Sequence, residues 1–160
     1  MNRIDNEVVY KMAMQEKKRF QKVYIEITNI CNLSCTFCPE SKRVKGLMDE
    51  ALFIRILDEV KDKTNLLTFH VKGEPLLHPA LGRFLDLAEV AGLKVNITTN
   101  GVRIREAEAQ LLHHPGLRQV NFSLHSLEDE TDEEVIKAYL LPLIQFARKA
   151  AMEGVYCSFR

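Results

Sequence analysis

The chain is 160 residues long, 46% hydrophobic and 28% charged, the make-up of one globular domain rather than of a disordered or fibrous chain. Its 22 basic and 22 acidic residues cancel to a formal net charge of zero, so the charge balance gives no support to a polyanionic partner such as nucleic acid. No apolar run approaches the roughly 18 residues of a membrane span, and Met1 to Glu16 carries scattered charges instead of a signal-peptide core. No membrane association is therefore expected, and the cytoplasm is the default location.

In chain order, Val8 to Phe20 has the composition of a lysine-rich, solvated helix, so residues 1–21 are expected to form an appended amino-terminal extension. The first strand is predicted at Lys22 to Thr28. A helix follows it, with Asp49 as its cap and Leu52, Phe53, Ile56, Leu57 and Val60 at helical spacing. Strand two is predicted at Leu66 to Lys72. The next helix begins at Pro79, buries Leu81, Phe84, Leu85 and Ala88, and stops near Gly92. Strand three, Leu93 to Thr98, precedes a helix marked by Ile104, Ala107, Leu111 and Leu112 that ends before Pro115 and Gly116. Strand four is predicted at Gln119 to His125. Thr131 and Glu134 then stand in capping-box spacing, and Pro142 is expected to divide the last helical stretch into two pieces, the second running to Gly154. A fifth strand covers Val155 to Phe159.

This regular alternation predicts βαβ units with parallel strands. Each strand also splits by parity: Val23, Ile25 and Ile27 against Tyr24, Glu26 and Thr28; Leu67, Phe69 and Val71 against Thr68, His70 and Lys72. Leu93, Val95 and Ile97 oppose Lys94, Asn96 and Thr98, while Val120, Phe122 and Leu124 oppose Asn121, Ser123 and His125. A sheet covered by helices on both faces is apolar at nearly every position, whereas alternation puts the apolar set against helices and the polar set towards a common interior. The expected fold is an α/β partial barrel of the TIM type, with about five parallel strands around a polar cavity. An open sheet with one wet face is the alternative.

The unusual residues gather at the carboxyl ends of the strands, which share one rim in barrel-like α/β folds, and that rim is where chemistry is done. Thr28-Asn29 leads into a cysteine loop, Lys72-Gly73-Glu74-Pro75 closes strand two, Thr99-Asn100-Gly101 closes strand three and Ser123-Leu124-His125-Ser126 closes strand four. In the loop, Cys31, Cys35 and Cys38 are spaced C-x3-C-x2-C. Three thiolates from one loop can hold three irons of a cubane cluster and leave the fourth iron without a protein ligand, whereas fully ligated clusters take four cysteines. The same residues are open to two other readings: a structural zinc module completed by Cys157 or a histidine, or an iron-sulfur electron carrier without catalysis. By parity Cys157 stands on the helix-facing side, as a small core residue. In Gly73-Glu74-Pro75, glycine permits close approach to the backbone, proline holds the preceding residue extended, and the carboxylate can accept from an ammonium group. His70 and His78 are read as structural.

Taken together, the C-x3-C-x2-C loop with Phe37 before its last cysteine, Gly73-Glu74-Pro75, Thr99-Asn100-Gly101 and the polar end of strand four resemble the radical S-adenosylmethionine (radical SAM) superfamily over roughly Lys22 to Arg160. The resemblance implies a 4Fe-4S cluster on Cys31, Cys35 and Cys38, with S-adenosylmethionine chelating the unique iron through its amino and carboxylate groups. It implies reductive cleavage of the sulfonium to a 5′-deoxyadenosyl radical that abstracts hydrogen from a substrate, fed by an external electron donor such as flavodoxin or ferredoxin. By matching positions, Phe37 lies near the adenine through its backbone. Gly73 and Glu74, in the segment that Pro75 ends, meet the methionine amino group, and Asn100, Ser123 and His125 are candidates for ribose or carboxylate contacts. A catalytic side chain is not identified. The family's core has about six strand-helix units, so residues 22–160 are expected to be a core domain incomplete at its carboxyl end, acting on a small molecule or peptide.

Overall fold

The computed structural model describes residues 20–39, 41–127 and 130–160; the amino-terminal extension expected before Phe20 lies outside them. Five strands form one sheet in the order β1-β2-β3-β4-β5: β1 Val23–Ile25, β2 Leu66–Phe69, β3 Lys94–Thr99, β4 Leu117–Phe122 and β5 Tyr156–Phe159. All four neighbouring pairs are parallel. Four helices make the crossovers: α1 Glu50–Val60, α2 Leu81–Val90, α3 Ile104–Leu111 and α4 Glu133–Met152.

Strand parity decides which face the helices cover. Ile25, Leu67, Phe69, Val95, Ile97, Val120 and Phe122 are buried in one cluster with Phe53 and Leu57 of α1, Phe84 and Leu85 of α2, Ile104 and Leu111 of α3, and Leu143 and Phe146 of α4. Every helix therefore packs on the same face. Sequential strand order with all crossovers on one side is the winding of a barrel, not of a doubly wound sheet, in which helices lie on both faces. Phe53 stacks on Phe84 with centroids 4.2 Å apart and meets Phe69 edge-on at 5.7 Å, which joins α1, α2 and β2. The opposite face keeps the polar set. Gln119 and Ser158 both donate to Asn121 Oδ1, at 2.8 and 2.7 Å. The buried Thr68 hydroxyl on that face lacks a hydrogen-bond partner among the described residues.

Several boundaries differ from the sequence pattern. β2 ends at Phe69 because the chain turns at once, with His70 N–H donating to the Thr68 carbonyl, and Val71 is left exposed instead of joining the apolar set. β4 begins at Leu117, two residues early: Leu117 pairs with Val95 and Gln119 with Asn96, so Arg118 is an extra residue that shifts the register there. Its carboxyl end is also shorter, since Leu124–Leu127 forms a 3-10 turn. α2 starts at Leu81, and α4 is capped by Asp132, which accepts from Glu134 and Val135 N–H, not by Thr131. Pro142 lies inside an uninterrupted α4. A proline in a helix interior costs about 3 kcal/mol. Burying Leu143 and Phe146 contributes roughly 1.5–3 kcal/mol each, enough to carry the helix through the proline.

Candidate cofactor site at the carboxyl rim

The cysteine loop leaves β1 and is closed by its own return limb. Thr28 and Leu47 form an antiparallel bridge, and Met48 N–H donates to the Ile27 carbonyl at 2.8 Å. Asn29 fastens the limb from both ends of its amide, donating to the Val44 carbonyl at 2.8 Å and accepting from Gly46 N–H at 2.8 Å. Arg43 forms an ion pair at 2.6 Å with Glu26, the residue that follows β1. The limb thus pairs with the outer edge of the sheet while fixing where the cysteines stand.

Gly73 joins this loop to β2. Its φ is +73°, and a Cβ there would lie 2.3 Å from the Thr28 carbonyl oxygen and 2.9 Å from both Asn29 Cα and the Ile30 carbonyl oxygen. The absent side chain makes room for the backbone of the cysteine loop itself, and Glu74 N–H donates to the Ile30 carbonyl at 2.7 Å. Pro75, buried, opens a 3-10 turn over Pro75–Leu77 for which Glu74 is the cap.

Glu74 is 2% exposed. One carboxylate oxygen, Oε1, accepts from Thr99 Oγ1 at 2.7 Å and Leu76 N–H at 2.9 Å; the other, Oε2, accepts from Asn100 N–H at 2.7 Å. Burial pushes its pKa above the usual carboxylate value, and the three donors oppose that rise. This carboxylate ties the ends of β2 and β3 together.

Asn100 extends the tie to the cysteines. Its side-chain amide donates to Asn32 Oδ1 at 2.9 Å and approaches Cys31 Sγ at 3.9 Å. Its carbonyl accepts from the Tyr139 hydroxyl of α4 at 2.5 Å. Beyond β4, Ser123 N–H donates to the Thr99 carbonyl, the Ser123 hydroxyl lies 3.4 Å from His125 Nδ1, and the His125 ring sits 5.3 Å from the Phe37 ring, centroid to centroid. The cysteine loop, the Gly73-Glu74-Pro75 turn, the end of β3 and the end of β4 are therefore linked around one rim. Tyr139 and Asn32 are rim members that the sequence pattern does not mark, and the bond from Thr99 to Glu74 is likewise unmarked. Thr99 stood inside the Thr99-Asn100-Gly101 motif, and Tyr139 stands four residues before Leu143 on the buried stripe of α4, but no pattern marks where a phenol oxygen reaches.

Cys31, Cys35 and Cys38 are free thiols, with Cys31 and Cys38 exposed. Among the described residues no group of three or more His, Cys, Asp or Glu side chains is gathered to hold a metal ion, so the thiols are not drawn onto one point. The donor set nevertheless suits an iron-sulfur cluster: three soft ligands on one loop, with Leu33 N–H donating to Cys31 Sγ at 3.5 Å. Cys157 is half-buried against the core and burial pushes its thiol up to about 11, which disfavours the thiolate that a fourth metal ligand requires. His78 is structural, its Nδ1 accepting from Ala80 N–H and its Nε2 donating to the Met48 carbonyl.

A sequence profile described as the Radical SAM superfamily matches residues 25–159. The chain belongs to this superfamily. Membership implies S-adenosylmethionine-dependent radical chemistry with an iron-sulfur cluster. Among curated relatives, a tungsten-containing aldehyde ferredoxin oxidoreductase cofactor-modifying protein of Pyrococcus furiosus is 33% identical over 112 residues, covering 66% of this chain and 31% of the relative. A GTP 3′,8-cyclase of Microcystis aeruginosa is 33% identical over 121 residues, covering 70% and 36%. The chain thus spans about a third of the length of these relatives. Among solved structures, BtrN in complex with AdoMet and 2-DOIA aligns with a TM-score of 0.66 at 22% identity, covering 87% of this chain and 56% of that one. Streptococcus suis SuiB bound to S-adenosylmethionine aligns with a TM-score of 0.67 at 21% identity, covering 96% and 37%. These likenesses establish the radical SAM partial-barrel fold. No helix among the described residues is long and apolar enough to cross a membrane.

Proposed function

We propose that this chain is the core of a radical SAM enzyme that holds a 4Fe-4S cluster through Cys31, Cys35 and Cys38 and binds S-adenosylmethionine along the rim. The observation that carries the proposal is the linkage of the three-thiol loop to Gly73, Glu74, Asn100, Ser123, His125 and Phe37 by direct contacts and by hydrogen bonds that run from 2.7 Å at Glu74 to 3.9 Å at Cys31. Held by Cys31, Cys35 and Cys38 and by the rim residues, the cluster and S-adenosylmethionine would together supply one-electron reductive cleavage of the sulfonium and, through it, the capacity to abstract hydrogen from a substrate.

The chain's own residues bind and orient. Phe37 would lie near the adenine through its backbone, its ring resting 5.3 Å from that of His125. The Gly73-Glu74-Pro75 segment lies against the backbone of the cysteine loop, where Gly73 and Glu74 would meet the methionine amino group. Asn100, Ser123 and His125 would supply polar contacts to the ribose or the carboxylate. The polar face of the sheet, with Asn96, Thr98, Asn121 and Ser158, provides a hydrogen-bonding wall for a polar substrate. Relatives named for a nucleotide, as in GTP 3′,8-cyclase, and for a peptide, as in the PqqA peptide cyclase of Gluconobacter oxydans, support a small molecule or peptide as substrate. Flavodoxin or ferredoxin is the proposed electron donor, in the cytoplasm.

The test is anaerobic incubation of the iron- and sulfide-reconstituted protein with S-adenosylmethionine and dithionite, followed by chromatography for 5′-deoxyadenosine. The nucleoside is expected from the parent and not from Cys31→Ala, Cys35→Ala or Cys38→Ala. A fully loaded protein that produces none is an electron carrier, and the proposal fails.

A further inference from the structure

We propose that Asn100 is a positioning residue for the cluster's electron affinity: it aims a side-chain N–H at the Cys31 sulfur and thereby raises the cluster's reduction potential. The inference rests on the reading that Cys31 is a cluster ligand. Its ground is the way Asn100 is held. The backbone N–H is taken by Glu74 Oε2 at 2.7 Å, the carbonyl by the Tyr139 hydroxyl at 2.5 Å, and the side-chain oxygen by Val102 N–H at 3.0 Å.

That last bond fixes the amide's sense. Flipping the side chain would set an N–H against the Val102 N–H, so the nitrogen faces the cysteine loop. That nitrogen lies 2.9 Å from Asn32 Oδ1 and 3.9 Å from Cys31 Sγ, within donor reach of both. Leu33 N–H approaches the same sulfur at 3.5 Å. Gly101, with φ +74°, lets the chain turn immediately after Asn100; a Cβ there would lie 3.0 Å from Leu143 Cδ2. Each anchor comes from a different element: the turn after β2, α4, the start of the loop to α3, and the cysteine loop. A side chain needed only to close its own turn would use the Val102 bond alone.

Reduction adds negative charge that spreads onto the thiolate sulfurs, so an N–H directed at one of them stabilises the reduced state more than the oxidised state. At 3.9 Å the bond is long, and its effect is correspondingly modest. A five- to tenfold change in the one-electron reduction equilibrium, or about 40–59 mV at 59 mV per tenfold, is the expected size.

The experiment is redox titration of the reconstituted protein without S-adenosylmethionine, followed by electron paramagnetic resonance, with iron and sulfide counted in each sample. Asn100→Asp keeps an oxygen for Val102 N–H but removes the N–H donors, and Asn100→Ala removes both without adding charge. Each is expected to titrate at a lower potential than the parent, the Asp variant lowest. Asn32→Ala removes one of the four anchors while keeping the N–H donor and the other three, and is expected to titrate between the parent and the Asn100 variants. Variants that hold a full cluster at the parent potential overturn the inference, as does loss of the cluster from both Asn100 variants, which assigns the residue to cluster retention. A parent that takes up no iron and sulfide overturns instead the cluster reading on which this one rests.

Discussion

Replacing Glu74 by glutamine changes one oxygen to an amide nitrogen at nearly constant volume, at a site where three donors converge. The less costly orientation keeps the amide oxygen at the Oε1 position, where it still accepts from Leu76 N–H and the Thr99 hydroxyl. The new NH2 then faces Asn100 N–H, which was 2.7 Å from Oε2. Donor meets donor, and a charge-assisted bond is lost. Leaving such a group unsatisfied costs about 1–3 kcal/mol, while removal of a buried charge offsets part of this. A net loss on the order of 1–2 kcal/mol follows, and a domain of this size loses roughly 2–4 °C in Tm per kcal/mol. The folded pKa of Glu74 is raised by burial, so its contribution is full below the ordinary carboxylate value and diminishes as pH climbs through the raised one. The stability gap between parent and Glu74→Gln is therefore expected to be widest in acid, to narrow as pH rises, and to stay constant above that window. Urea denaturation at several pH values, followed by circular dichroism, measures it. A Glu74→Gln protein as stable as the parent at neutral pH, or a gap that widens with rising pH, would refute the view that this carboxylate ties the rim together.

Two further perturbations follow. Gly73 and Gly92 both have φ +73°, but a Cβ at Gly92 meets nothing within 4 Å, whereas one at Gly73 runs into three backbone atoms of Thr28, Asn29 and Ile30; Gly92→Ala is expected to cost about 1 kcal/mol and Gly73→Ala roughly 3–5 kcal/mol, and equal urea midpoints would contradict the packing argument. Burial holds the His78 ring neutral and its pKa below the ordinary histidine value, against an opposing bond to the Met48 carbonyl; its contribution is present above pH ~6.5 and is lost as pH falls towards the depressed value, so the parent should lose more stability between pH 7 and pH 5 than His78→Gln does, and parallel losses would count against it.

Much of this was legible in the sequence because it depends on periodicity. Alternation in Val23, Ile25, Leu67, Phe69, Val95 and Ile97 identified the buried face, and the placement of Gly73-Glu74-Pro75 and Thr99-Asn100-Gly101 after strands identified the rim. What escaped was set by tertiary contact. Pro142 is a local breaker, yet Leu143 and Phe146 outweigh it by packing on the sheet. Thr131 satisfies the capping-box pattern, but Asp132, one residue on, offers the stronger acceptor at that position. Val71 continued an apolar alternation on a strand that had already ended. At the rim, the sequence indicated that Glu74 and Asn100 mattered. It could not reveal that they bond to each other, because they stand 26 positions apart, with a helix and a strand between them.

Iron and acid-labile sulfide, counted per chain after anaerobic reconstitution, test the central claim most directly. The account predicts about four of each on the parent, as for a cubane cluster, undiminished in Cys157→Ser and lost when Cys31, Cys35 or Cys38 becomes alanine. One tightly held zinc per chain without labile sulfide, or a cluster that disappears with Cys157, would contradict it.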